Sequence, residues 1–252
     1  QEKNNVLKLV HRNVHKIYKQ VHHNVHKMTI ITIEKRKLEE FNPWWISSSV
    51  DAELALPFKR ELYAEVEKGL EKRFVLALVG LRRVGKTTLL YQLVEKLLRD
   101  AVPPTNIFFF SFDETAPSLS KVVDAYQEIH HKDFRQQRTY FFFDEVQKCK
   151  NWENEIKKYY DLYPKLKFIL SGSESLFIRK RTKENLAGRL FKFFLAPFSF
   201  KEYLAIKGVP SKDWNYETRI KPLFLEYARK GGFPETFSLG TDREFKEYIR
   251  YL

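Results

Sequence analysis

The sequence predicts an α/β fold: a three-layer domain on a parallel sheet, followed by a helical C-terminal region. Three observations predict it. From residue 57 onward, short apolar runs alternate with stretches of helical period, the pattern of strands joined by crossover helices. Gly80-Leu81-Arg82-Arg83-Val84-Gly85-Lys86-Thr87 follows the first apolar run with the spacing G-x-x-x-x-G-K-[ST] of a phosphate-binding loop. Finally, Thr139-Tyr140-Phe141-Phe142-Phe143-Asp144-Glu145 is a buried-strand run that ends in two acids.

The first element, over residues 57–72, is expected to be a helix with Leu62, Val66 and Leu70 on one face. It delivers the chain into a strand over 74–79. Leu89, Leu90, Leu93, Val94, Leu97 and Leu98 form the apolar stripe of the next helix, which stops before Pro103-Pro104. Residues 106–112 read as a strand and 118–130 as a helix. The Asp144 strand follows, then a helix over 152–162 and a strand at Phe168-Ile169-Leu170. A strand over 190–195 precedes Pro197, and from Trp214 the pattern is helical, broken at Gly231-Gly232-Phe233-Pro234. In a sheet of this kind the ligand lies at the carboxyl ends of the strands.

Each residue type near that edge suits phosphate chemistry. Two glycines let the loop curl so that successive N–H groups point inward, and the following helix adds its positive N-terminal end. Lys86 would reach the β and γ phosphates, and Thr87 would ligate Mg²⁺. Asp144 is expected to hold the metal through water, and Glu145 to orient and polarise an attacking water. In Ser171-Gly172-Ser173-Glu174-Ser175, a hydroxyl from Ser171 or Ser173 would bond the γ-phosphate or that water; an ordinary Ser-Gly turn capping a helix is the alternative. Phosphoryl transfer also wants a further cation, for which Arg189 stands first, with Arg82, Arg83, Arg179 and Arg181 as rivals and a solvated surface arginine as the alternative.

The 252 residues suffice for one substantial core and the start of a second. No run approaches ~18 consecutive apolar residues, so none reads as a membrane-spanning helix. Cys149 is the only cysteine, which excludes a disulfide framework and a Cys-based zinc site and favours a reducing, cytoplasmic setting. Net charge is +13, but residues 1–37 carry nine Lys/Arg and two Glu, leaving +6 for the other 215 residues. The basicity therefore says little about nucleic-acid binding by the core.

The basic N-terminus contains a repeat: Val-His-Arg-Asn-Val-His-Lys at 10–16 and Val-His-His-Asn-Val-His-Lys at 21–27. Residues 1–27 are expected to be an extension preceding a start at Met28, the only methionine. The alternatives are a basic helix that docks on nucleic acid or a partner, a cleaved targeting peptide, and a metal pair at His11/His15 and His22/His26. Residues 28–56 are expected to be a linker whose Trp44 and Trp45 pack on the core, 57–198 the ATPase core, and 199–252 a helical lid or the start of a winged-helix region.

Leu81 to Thr88, Phe143-Asp144-Glu145-Val146-Gln147 and Leu186-Ala187-Gly188-Arg189 together resemble the archaeal-type ATPase family. These are P-loop proteins allied to the AAA+ and signal-transducing STAND ATPases, and the similarity covers residues 40–240. The resemblance implies ATP rather than GTP as the nucleotide, bound with Mg²⁺ by Gly80, Arg83, Val84, Gly85, Lys86, Thr87 and Thr88. It implies metal and water-activating roles for Asp144 and Glu145, a nucleotide-sensor role for Ser173, and a finger or sensor role for Arg189. It also implies a winged-helix or effector region after the core, relative to which this chain reads as truncated.

Three functions follow as expectations. The first is Mg²⁺-dependent ATP hydrolysis with Glu145 activating water. The second is a slow-turnover switch whose ATP-bound state orders a protein partner or a homo-oligomer. The third is a DNA-associated protein whose affinity falls steeply with salt.

Overall fold

The structure, a computed structural model, describes residues 35–114, 116–173, 186–209 and 216–250. The N-terminal repeat, its histidine pairs, Arg179 and Arg181 lie outside the described residues. Five strands form one parallel sheet: β1 (Val75–Val79), β2 (Ile107–Ser111), β3 (Thr139–Asp144), β4 (Leu166–Gly172) and β5 (Leu190–Phe194), in the order β2-β3-β4-β1-β5. Every pairing is parallel. Around them run α1 (Trp44–Ser47), α2 (Tyr63–Gly69), α3 (Lys86–Arg99), α4 (Leu119–His130), α5 (Trp152–Leu162), α6 (Phe200–Ile206), α7 (Lys221–Lys230) and α8 (Asp242–Arg250). The sheet is the expected three-layer one, with helices after it.

Strands β1, β3 and β4 are buried along their whole length, which is why they read as continuous apolar runs. Alternate side chains divide the interior into two layers. On one face Val75, Ala77, Phe141, Phe143, Phe168 and Leu170 meet α4 and α5 through Val123, Tyr126, Trp152 and Ile156. On the other, Leu76, Leu78, Phe142 and Ile169 meet α2 and α3 through Val66, Leu70, Leu90, Leu93 and Val94. Lys167 on β4 is buried as well. Its ammonium donates to the carbonyls of Gly69 (2.7 Å), Lys72 (2.6 Å) and Phe74 (2.5 Å), three acceptors for three donors, and so closes the turn leading into β1.

Helix boundaries follow local chemistry. Ser118 caps α4 by accepting from the Lys121 N–H, and Ser199 with Glu202 forms a reciprocal capping box at α6. The helix expected over 57–72 begins only at Tyr63. Upstream of it, the carbonyls of Leu56 and Phe58 accept from Gln92 Nε2 on α3 (2.5 and 2.9 Å), so this segment lies against α3 without coiling.

Strand β2 lies at a sheet edge, and side chains of the N-terminal segment occupy its outward hydrogen-bonding groups. Asn42 pairs with Phe109 like a neighbouring strand: Oδ1 accepts from the Phe109 N–H (2.6 Å) and Nδ2 donates to its carbonyl (2.9 Å). Both indole N–H groups of Trp44 and Trp45 donate to the Ile107 carbonyl at 3.0 Å. Trp44 is fully buried, and Trp45 packs edge-on against His130 with ring centroids 4.3 Å apart.

Replacing Asn42 with Ala leaves two buried backbone groups of Phe109 without partners and is expected to cost about 2 to 3 kcal/mol in urea unfolding; a loss near zero would show that the edge does not need this pairing. Burial first, then Lys132, Lys35 and His131, push the His130 imidazole down to about 4. The unfolded chain therefore binds the proton more readily, and stability present above about pH 6.5 is lost as pH falls toward 4. The melting temperature should drop between pH 7.5 and 5, and His130→Phe should show a smaller drop over the same interval.

Candidate functional site

The carboxyl ends of β1, β3 and β4 meet at one edge. The register sets Leu78 beside Ser171 and Val79 beside Gly172, while Ser111 at the end of β2 faces Asp144 at the end of β3. The loop from Gly80 to Gly85 turns over this edge into α3. A Cβ on Gly80 would lie 2.2 Å from the Leu195 carbonyl oxygen, because Leu195 N–H donates to Val79 O (2.7 Å) and draws that strand close. Arg83 (φ 62°) and Gly85 (φ 94°) adopt left-handed conformations, which curls the backbone ahead of the helix.

Lys86 opens α3 buried, its Nζ donating to the carbonyls of Leu81 (2.8 Å) and Gly80 (3.2 Å) and standing 3.8 Å from Glu145 Oε1. Burial lowers its amine pKa, opposed by the Glu145 and Asp144 carboxylates. Thr87 Oγ1 donates to Asp144 Oδ2 at 2.8 Å, and the Ser171 hydroxyl donates to Asp144 Oδ1. Burial raises the Asp144 pKa, while the Ser171 and Thr87 hydroxyls pull it back. The next residue, Glu145, has φ 51°; its N–H donates to Ser171 Oγ (3.2 Å) and its Oε2 accepts from Gln147 Nε2. Thr87 Oγ1 and Asp144 Oδ2 are hard oxygen donors side by side, the set that suits Mg²⁺. Among the described residues, no group of three or more His, Cys, Asp or Glu side chains could hold a metal by itself, so phosphates and water would complete its shell.

These groups line a cavity of about 380 Å³, which Arg82, Arg83 and Thr88 also border. A second cavity of about 400 Å³ adjoins it and shares Leu56, Gly85, Thr88 and Pro234. Its walls are apolar: Phe58, Leu89, Phe198, Ile206 and Phe237. Sequence reading missed this chamber, because its walls come from four separated segments with no motif in common. Composition did carry a weak signal in Phe58, Phe198 and Phe237, aromatic residues flanking the core. The C-terminal segment reaches the phosphate side too, where Glu235 accepts from Arg83 NH1 at 3.0 Å and the Tyr248 ring lies 5.1 Å from the same guanidinium.

Two expected residues stand elsewhere. Arg189 does not join this cluster. Its carbonyl accepts from the Val75 N–H (2.8 Å) at the start of β1, and its guanidinium pairs with Asp161 (3.0 Å) at the end of α5. The length of β1, about 16 Å, separates it from the loop. Ser173 lies one residue past the end of β4, and the hydroxyl beside Asp144 is that of Ser171.

A parallel five-stranded sheet with this loop at the end of β1 defines the P-loop type of nucleotide-binding domain. Residues 72–204 match the family model described as AAA domain, just over half of the chain. The chain belongs to that family, a domain of the nucleotide-binding, ATPase-like type. It is 26% identical over 178 residues to an uncharacterized protein of Haemophilus influenzae, covering 70% of this chain and 43% of that one. Two uncharacterized proteins of Methanocaldococcus jannaschii, MJ1544 and MJ1637, are 27% and 29% identical over 191 and 194 residues. Those alignments cover 74% and 75% of this chain but only 41% and 40% of the relatives, so the chain spans about two fifths of their length. No helix among the described residues is long and apolar enough to cross a membrane.

Gly80→Ala should cost about 2 to 3 kcal/mol in urea unfolding, since the new methyl must displace the Leu195 carbonyl or the loop. A loss below about 0.5 kcal/mol would mean that the close approach of β5 to the loop is not required.

Proposed function

We propose that this domain is an Mg²⁺-dependent ATPase of the archaeal-type, STAND-related kind. The observation that carries the reading is the convergence of Lys86, Thr87, Asp144 and Glu145 on one cavity at the mouth of the glycine loop. In this reading the loop N–H groups and the start of α3 hold the phosphates, and Lys86 exchanges the Gly80 and Leu81 carbonyls for phosphate oxygens. Mg²⁺ at Thr87 and Asp144 would offset charge on the phosphoryl group in flight. Glu145, oriented by Gln147 and by its own N–H bond to Ser171, holds a water in line with the γ-phosphate and takes its proton. Ser173 remains the proposed sensor at the end of β4, and Arg189 would serve only a nucleotide bound by a neighbouring copy. The apolar chamber beyond Gly85 and Thr88 fits the adenine ring, which is planar and poorly hydrated on its faces.

On this reading residues 57–198 are the ATPase core and 199–252 a helical lid or the start of a winged-helix region, following the linker of 28–56 and the extension of 1–27. One observation favours a second reading, an ATP-dependent switch of slow turnover. Glu235 places a carboxylate at the rim of the phosphate cavity, held there by Arg83. Incoming phosphates compete with Glu235 for that guanidinium, so binding would shift the segment that carries α8 and alter the surface offered to a protein or nucleic-acid partner.

Steady-state phosphate release from Mg-ATP separates the two readings. With Glu145→Gln it should fall at least about a hundredfold while ATP binding persists. Equal rates in wild type and variant would remove Glu145 as the base. Undetectable turnover by a folded wild-type protein that still binds ATP would favour the switch.

A further inference from the structure

Arg60 belongs to no motif, yet its guanidinium is among the most completely engaged groups in the molecule. It is nine-tenths buried, and donates through Nε and NH2 to Glu202 (2.8 and 3.0 Å), through NH2 to Ala196 O (2.9 Å), and through NH1 to Val84 O (2.9 Å). Its Cζ lies over the Phe198 ring, 4.1 Å from the centroid. Glu202 in turn accepts from the N–H groups of Glu61 and Ser199, both at 2.9 Å. Stability alone does not call for such a pair, because a buried ion pair is often replaceable by apolar side chains at no cost. What an apolar side chain lacks is the grip on the Val84 carbonyl.

That carbonyl belongs to the peptide unit that supplies the Gly85 N–H. A trans peptide is planar, with its N–H directed opposite to its C=O. Arg60 lies on the side of the apolar chamber and does not line the phosphate cavity, whereas Gly85 borders both. Holding the Val84 oxygen toward Arg60 therefore turns the Gly85 N–H toward the phosphate side. Glycine has no Cβ to oppose a flip of this peptide, and Gly85 at φ 94° has nothing within 4 Å of the place a Cβ would take. An unrestrained peptide here would populate two orientations, of which one offers a donor to phosphate and the other an oxygen.

We infer that Arg60 is a positioning residue for the phosphate loop, fixing the Val84–Gly85 peptide so that the Gly85 N–H meets the β-phosphate of a bound nucleotide. The inference rests on the nucleotide-binding reading of the site. Through Glu202 the same guanidinium fixes the start of α6, so the loop and the segment that closes the base chamber are set together.

The test compares ADP with AMP, which lacks the phosphate that meets this N–H, by calorimetric titration of the full chain. Wild type should bind ADP more tightly than AMP. In Arg60→Lys, ADP affinity should fall about tenfold with AMP affinity unchanged, because an ammonium cannot hold Glu202 in a fork and reach Val84 as well. Glu202→Gln keeps the guanidinium on Val84 and should lower the melting temperature while retaining the ADP-over-AMP ratio. An unchanged ratio in Arg60→Lys, or an equal loss in Glu202→Gln, would overturn the inference and leave the nucleotide reading intact. Failure of wild type to bind either nucleotide would overturn both. Should Arg60→Lys not fold, the wild-type Gly85 amide resonance decides: it should move on adding ADP and stay in place with AMP, and no movement with ADP sinks the idea.

Discussion

The edge of the sheet that faces the phosphate loop depends on one buried carboxylate. Asp144 sits in an interior where an unpaired charge is strongly disfavoured, and it is tolerated because two hydroxyls donate to it, Thr87 from α3 and Ser171 from β4. Those two bonds tie the helix that follows the loop to the strand beside β1. They also set Glu145, since the hydroxyl that donates to Asp144 accepts the Glu145 N–H. Three elements from distant parts of the chain are thereby brought to within hydrogen-bond distance of one another. These direct bonds between polar groups at the edge fix geometry as much as they stabilise it.

A buried ion pair, Arg60 with Glu202, ties elements together on the far side of the loop. The phosphate loop is thus gripped from both flanks, by Asp144 through Thr87 and by Arg60 through Val84. Between those grips lie left-handed Gly85 and the opening of α3, where backbone donors are left to face a ligand. The loop's shape is held by side chains outside its own sequence, which is why glycine alone does not account for it.

Much of this architecture was legible from residue pattern. Strand β3 and the amphipathic α3 and α5 lie where periodicity placed them, because each buries a continuous run or stripe that admits few alternatives. The helix before β1 was overextended, because its period persists through 57–62 while the carbonyls of Leu56 and Phe58 are taken by Gln92, a tertiary contact that no local pattern encodes. The positions of Lys86, Thr87, Asp144 and Glu145 were legible as a set, since the glycine loop that leads to the first two follows the end of β1 and the two acids stand at the end of β3. Arg189 stands apart from them because it precedes β5, and in a parallel sheet the residue before a strand lies at the edge away from the loop. The Arg60–Glu202 pair joins residues 142 positions apart, and the apolar chamber draws its walls from Phe58 through to Phe237, beyond the reach of motif reading.

The side chains that sealed strand β2 also give the sheet a direction of growth. With Asn42 standing in for a neighbouring strand and two indoles on Ile107, that margin offers little for another chain to pair with. The other margin, β5, presents Phe191 and Phe194 about half exposed. Among the described residues, an association that extends the sheet would add on the β5 side, and two copies joined there would each bury the margin that the described residues leave open. Backbone pairing would then end at two copies, so a larger assembly of this domain would have to be joined by side-chain faces and not by a continuous sheet.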